Sequence, residues 1–228
     1  SPLSTILLSS LCLANIYYTS AQYWQPQPGT TWQWQLDGTI DTSYDVDMYD
    51  VDLDIDSSII DVLKNQGKKV ICFFAVGYYE DWRSDASNFP SSVISSGDGY
   101  LDITQWNTLE PLIAARMDTA VTKGCDGIET DGMDGYQNAN DFSLTPAQQL
   151  TFNQNVANLA HTKGVSIGLK NDVDQITDLV SYFDFAVNTA CNEYTECGKL
   201  DAFVSDNKAV FGVEYNLDVT TYCDFMNA

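Results

Sequence analysis

Apolar and polar positions recur along the chain with two periods. Short runs of period two, the mark of strands, are separated by stretches with the 3.6-residue period of amphipathic helices. The first pattern predicts strands near Thr31–Leu36, Asp45–Asp50, Lys69–Val76, Tyr100–Thr104, Gly127–Asp131, Ser166–Asn171, Asp184–Thr189 and Ala209–Tyr215. The second predicts helices over Ser57–Gln66, Trp106–Lys123, Thr145–Lys163, Val173–Tyr182 and Cys197–Asn207, with Gly67, Gly124 and Gly164 ending three of them. Eight strands alternating with helices imply an α/β fold, a single (β/α)8 TIM barrel slightly below the usual size. An open doubly wound sheet is the alternative, but no Gly-rich phosphate fingerprint follows the first strand.

Residues 1–22 stand apart from this 23–228 domain. They hold an apolar stretch of signal-peptide length, followed by Thr19-Ser20-Ala21 as a small-residue cleavage site, but no basic n-region. The other reading is an N-terminal apolar helix. With only Asn216–Ala228 left after the last strand, Ile6, Leu7, Leu8, Leu11 and Leu13 would then cover the seam of the barrel and complete its outer ring. No run reaches the length of a membrane span.

Composition narrows the chemistry. The 228 residues carry 10 Lys+Arg against 32 Asp+Glu, a net charge of −22, yet 44% are hydrophobic and 12% aromatic, so the acid decorates a packed domain. Such a charge disfavours nucleic acid and anionic membrane and favours a cationic ligand. The single histidine, His161, ends a helical pattern where a cation suits the helix dipole, and it cannot build a His-based zinc site alone. Six cysteines form no CxxC pair, so no metal is expected, and no cofactor. Cys191 and Cys197 flank a short loop and are expected to close it as a disulfide, which fits an oxidising compartment. Cys72, in an apolar run, reads as a buried thiol, and Cys12 would reach Cys223 if the N-terminal helix covers the seam. The run Asp45–Asp56 lacks the central Gly and terminal Glu of an EF-hand loop and alternates like a strand.

In a barrel the functional residues lie at the C-terminal ends of the strands. There the sequence offers Asp47, Tyr49 and Asp50, then Tyr78 to Arg83, then Glu129, Asp131 and Asp134, then Lys170, Asn171 and Asp172, then Glu214 and Tyr215. Glu129 and Asp131 share one face of their strand. Carboxylates set among aromatic faces suit a sugar site, where two carboxyl groups flank the anomeric carbon.

These segments resemble a known family. Trp32-Gln-Trp-Gln-Leu36, Tyr44-Asp-Val-Asp-Met-Tyr-Asp50, Val70-Ile-Cys-Phe-Phe74, Lys123-Gly-Cys-Asp-Gly-Ile-Glu-Thr-Asp131, Gly168-Leu-Lys-Asn-Asp172, Phe185-Ala-Val-Asn188 and Val213-Glu-Tyr215 are similar, in order, to glycoside hydrolase family 114, the endo-α-1,4-polygalactosaminidases. The resemblance implies a (β/α)8 barrel, a secreted protein, and a glycan containing galactosamine or N-acetylgalactosamine. Such a polymer is cationic when deacetylated, which suits the acidic chain.

The family's catalytic pair is an Asp at the end of the fifth barrel strand and a Glu at the end of the seventh. Asp131 matches the first. The second lies in a motif usually written Asn-Glu-Gln-Cys, which reads Asn188-Thr189-Ala190-Cys191 here, so Thr189 stands in the place of the Glu. Thr130 and Gly132 likewise stand where Pro and Asn are usual. A threonine neither donates a proton as a carboxylic acid does nor forms a glycosyl ester. The expectation is a carbohydrate-binding, lectin-like protein with hydrolysis weak or lost; the alternative is an active retaining endo-α-1,4-polygalactosaminidase with Glu193 or Glu214 standing in. Asp131 and Glu214 are the catalytic candidates, and Asp47, Tyr49, Glu129, Tyr136, Lys170, Asn171, Asn188, Thr189 and Tyr215 the expected sugar contacts.

Overall fold

The computed structural model describes residues 23–138, 141–218 and 220. Seven parallel strands form one sheet in chain order: β1 (Trp32–Gln35), β2 (Met48–Asp52), β3 (Lys69–Ala75), β4 (Gly127–Asp131), β5 (Ser166–Lys170), β6 (Phe185–Thr189) and β7 (Val210–Val213). Helices α1 (Ser57–Asn65), α2 (Trp106–Lys123), α3 (Pro146–Lys163), α4 (Ile176–Leu179) and α5 (Asp201–Ser205) follow β2 through β6. The sheet curls into a TIM-barrel-like half-barrel whose two edges meet through side chains, Trp32 of β1 lying 4.8 Å from Phe211 of β7. Among the described residues no strand hydrogen bonds join β7 to β1.

The expected closed eight-stranded barrel is therefore corrected to seven strands among the described residues. The segment Tyr100–Thr104 makes only two isolated antiparallel bridges, Tyr78 to Tyr100 and Ile94 to Leu101. It has no slot in the sheet, because β3 pairs directly with β4 from Ile71↔Gly127 to Ala75↔Asp131. Its strand-like alternation arises from Leu101 and Ile103 burying while Asp102 turns outward to bond the amide and hydroxyl of Thr104. Two predicted helices are also shorter than expected. Only Ile176–Leu179 of Val173–Tyr182 is helical, and Cys197–Asn207 divides into a 3-10 turn at Cys197–Leu200 followed by α5.

The long helices have clear local causes. Asp56 caps α1 through Ser58, while Thr145 and Gln148 form a capping box ahead of Pro146 at the first turn of α3. Gly124 and Gly164 end α2 and α3 in the left-handed conformation. Outside the sheet, Ile128, Ile167 and Leu169 pack with the helices in one apolar cluster; inside, Met48, Ile71, Phe185, Val187 and Phe211 plug the barrel near the N-terminal ends of the strands. Gly168 faces that plug, and a Cβ there would run into the Phe185 ring.

Cys72 is not a free thiol. It is bonded to Cys125, tying the middle of β3 to the chain just before β4, and the expected Cys191–Cys197 disulfide is present. The proposed Cys12–Cys223 bond and the N-terminal helix fall outside the described residues. No helix among the described residues is long and apolar enough to cross a membrane.

Candidate active site

Above the apolar plug the inward-facing positions turn polar. Strand register sets Trp34 of β1 beside Asp50 of β2, and Phe73 of β3 beside Glu129 of β4. Glu129 is fully buried; its Oε2 accepts from Trp34 Nε1 at 3.1 Å, and its Oε1 lies 3.4 Å from Lys170 Nζ. Lys170 also lies 3.5 Å from Asp131 Oδ2 and packs over the Trp34 and Phe73 rings. Burial alone would lower the Lys170 pKa, but Glu129 and Asp131 outweigh it and hold the ammonium charged. Asp50, fully buried beside Glu129, is pushed well above the carboxylate range by burial first and by the Glu129 charge second.

Asp131 ends β4 with 40% of its side chain exposed, and its Oδ1 accepts from the Gly132 amide at 2.8 Å. Gly132 has φ +77°, and a Cβ there would sit 2.6 Å from the Gly77 carbonyl carbon. The ends of β3 and β4 thus approach too closely for any side chain at 132. Asp134 follows, its pKa raised to about 6 by burial and by Asp131. Beyond β5, Asn171 and Asp172 both take positive φ, 55° and 48°. Asn171 Oδ1 accepts from the Thr189 amide at 2.9 Å, the Thr189 hydroxyl at 3.2 Å and Asn188 Nδ2 at 3.3 Å, locking the end of β5 to the end of β6. Asp172 is 1% exposed and its pKa is raised to about 8, chiefly by burial and then by Asp134 and Asp174, against the Tyr136 hydroxyl and Asn153.

A cleft of about 340 Å³ opens over these residues, lined by Asp134, Asn171, Asp172, Thr189, Tyr215 and the loop that carries Glu193 and Tyr194. Lys199 is the one basic side chain among the described residues lining it. Asp131, half-exposed at the end of β4, acts on the cleft lining through its charge, which raises the Asp134 pKa.

Of the residues expected at the site, the structure brings Glu129, Asp131, Tyr136, Lys170, Asn171, Asn188, Thr189 and Tyr215 to this end of the sheet. It places Asp47 and Tyr49 elsewhere and gives Glu214, at the end of β7, a bracing contact. Asp47 precedes β2 at the opposite, N-terminal end, where it accepts from the Thr31 amide and hydroxyl. Tyr49 is buried on the outer, helix-facing side with its hydroxyl on the Tyr44 carbonyl. Both misplacements follow from β2 starting at Met48 rather than Asp45. Glu214 braces the loop after β6, its Oε1 accepting from the Asn192 amide at 2.7 Å and from Asn192 Nδ2 at 3.2 Å, and it does not line the cleft.

Other conspicuous residues are scaffold. Arg83 binds Glu80 and Asp52, while Arg116 binds Glu80, Asp85 and the Ala75 carbonyl, bracing the end of β3. In the run from Asp45 to Asp56, Asp47, Asp52 and Asp56 are engaged with Thr31, Arg83 and the start of α1. His161 pairs with Asp184 at 3.0 Å and stacks on Tyr23, at the far end from the mouth. Sequence reasoning missed the Asp50–Glu129 pair and left Asp172 out of the contact set, although its place directly after Lys170-Asn171 was a usable signal.

The chain matches the glycoside-hydrolase family GH114 profile over residues 15–228. No curated protein sequence matches it. Among solved structures, Ega3 of Aspergillus fumigatus in complex with galactosamine is similar at TM-score 0.80 and 40% identity, covering 84% of this chain and 79% of that one. The glycoside hydrolase domain of PelA from Pseudomonas aeruginosa is similar at TM-score 0.62 and 13% identity, over 86% of this chain and 87% of that one. A GH18 chitinase from Pseudoalteromonas aurantia is similar at TM-score 0.53 and 11% identity, over 85% of this chain and 86% of that one. The last two speak to the fold alone.

Proposed function

The chain belongs to glycoside hydrolase family 114, and from that kinship we propose that it takes glycans containing galactosamine or N-acetylgalactosamine into its acidic cleft, lectin-like, with hydrolysis weak or lost. The observation that carries this reading is Thr189. A retaining mechanism needs two carboxyl groups roughly 5–5.5 Å apart, one as nucleophile and one as acid. Asp131 offers one. At the end of β6 the chain offers a hydroxyl already engaged with Asn171. Ground-state contacts survive that loss, because Asp134, Asp172, Asn171 and Tyr215 still line the cleft.

The second reading is an active endo-α-1,4-polygalactosaminidase. Kinship favours it, as does 40% identity to a relative solved with galactosamine. One local feature favours it too: the Asp134 carboxyl, raised to about 6 by burial and by the Asp131 charge, is suited to act as an acid. Under it, Asp134 would protonate the leaving oxygen while Asp131 attacks the anomeric carbon.

Calorimetric binding and product analysis with α-1,4-linked galactosamine oligosaccharides separate the two. Binding without released product supports the first reading. Release that disappears in both Asp131→Asn and Asp134→Asn supports the second, and neither binding nor release removes both. Two disulfides fit an oxidising compartment, and we read the protein as secreted.

A further inference from the structure

Two tyrosines stand beside Asp131 on the β3 side, outside the cleft lining. The ends of β3 and β4 touch here: the Val76 and Gly77 amides donate to the Asp131 carbonyl, and a Cβ on Gly132 would sit 2.7 Å from the Tyr78 nitrogen. Tyr100 joins Tyr78 in an antiparallel bridge, and the two rings meet edge to face with centroids 5.5 Å apart. Gly99 abuts the Tyr78 ring as well. Its φ is +79°, and a Cβ there would lie 3.1 Å from Tyr78 Cζ. Bare backbone at Gly99 and Gly132 is therefore what lets Tyr78 settle where it does.

This position contributes little to the core. The next residue, Tyr79, packs edge to face on Phe89 and against the main apolar cluster. Tyr78 and Tyr100 belong to neither apolar cluster among the described residues, and Tyr78 keeps 36% of its surface exposed. A ring left this open gains only part of the free energy of burial, but its fixed pose lowers the cost of receiving a ligand.

The pair is continuous with the cleft. Burial first, then the charges of Asp134, Asp131 and Asp98, raise the Tyr100 pKa, so its hydroxyl faces the same carboxylates, and Asp134 lines the cleft. On the other side of β4, Tyr194 and Tyr215 line the cleft with 69% and 61% of their surfaces exposed. Exposed aromatic rings thus flank Asp131 on both sides.

We propose that Tyr78, braced by Tyr100 and Gly99, is a sugar-stacking platform, so that the ligand is a run of several sugar units crossing Asp131 and extending over the end of β3. This rests on the amino-sugar reading above. An aromatic face takes the C–H face of a pyranose, which is the same whether the sugar carries an ammonium or an acetamido group, so the platform reads chain length and not charge.

The test is titration calorimetry with galactosamine and with an α-1,4-linked galactosamine hexasaccharide, on an Asp131→Asn background so that turnover does not consume the longer ligand. The parent should bind the hexasaccharide more tightly than the monosaccharide. Adding Tyr78→Ala should weaken hexasaccharide binding about tenfold and leave galactosamine binding unchanged, while Tyr78→Phe, which keeps the ring, should preserve both. In the parent, which needs no substitution at 78, the NMR signals of the Tyr78 ring should shift on adding the hexasaccharide and stay in place with galactosamine. An unmoved Tyr78 ring, an unchanged hexasaccharide affinity in Tyr78→Ala, or an equal loss for both ligands would overturn the proposal and leave the amino-sugar reading standing. Failure of both wild type and parent to bind either ligand would overturn that reading and the proposal with it.

Discussion

Asp50, Glu129 and Lys170 form a short buried ladder that ends on the half-exposed Asp131. Because burial and the Glu129 charge both push Asp50 towards the neutral form that asparagine imitates in shape, urea unfolding of Asp50→Asn should show a change within about 1 kcal/mol. Glu129→Gln removes the buried partner of the Lys170 ammonium and should cost about 3 kcal/mol in the same measurement. Equal costs for the two variants would contradict this difference between the two carboxyls. Residues of this kind were unevenly legible in the sequence. Glu129, Asp131 and Lys170 could be read because their strands begin after glycine-marked helix ends, which fixes the alternation. Asp47 and Tyr49 could not, since Asp45–Asp56 alternates acid and apolar residues with no internal mark of where pairing starts. The Asp50–Glu129 contact joins β2 to β4 across the intervening β3, a relation that the curl of the sheet creates.

At the scale of elements, the two disulfides have different work. Cys72–Cys125 closes a separation of 53 residues between β3 and the start of β4, and its loss through a Cys72→Ala, Cys125→Ala pair should lower stability by about 4 kcal/mol while sparing sugar binding in the folded fraction. Cys191–Cys197 closes only 6 residues, but the loop it holds carries Glu193, Tyr194 and Glu196 to the cleft. Cys191→Ser with Cys197→Ser should therefore cost only about 2 kcal/mol in thermal unfolding yet weaken sugar binding several-fold. A large stability loss with unchanged affinity would reverse these roles. The second bond could be read from its spacing. The first could not, because an apolar run around Cys72 looks the same whether the thiol is free or bonded. Tyr100–Thr104 misled for a related reason: two buried positions separated by one polar residue suit any short segment laid over a core, and only the direct pairing of β3 with β4 shows that no strand fits between them.

For the whole molecule, the net charge of −22 was plain from composition, but which carboxylates the fold would keep protonated was not. Asp50, Asp134 and Asp172 all have folded pKa values raised above their unfolded ones. Their contribution is complete below the unfolded carboxylate range and is lost as pH rises through the folded values, about 6 for Asp134 and about 8 for Asp172. The melting temperature should accordingly fall between pH 5 and pH 8, and less steeply in Asp172→Asn; a rise over that interval would show that other groups govern the balance. The proposal that the cleft binds amino sugars but turns them over weakly or not at all, for want of a carboxylate at 189, is tested most directly by oligosaccharide release from α-1,4-linked galactosamine chains, with wild type and Thr189→Glu assayed side by side. A carboxylate at 189 would restore the second member of the pair and, among so many acids, have its own pKa raised as an acid catalyst requires. The account predicts little or no release by wild type, measurable though poor release by Thr189→Glu, and loss of that gain when Asp131→Asn is added. Fast release by wild type that persists in Asp131→Asn would contradict it.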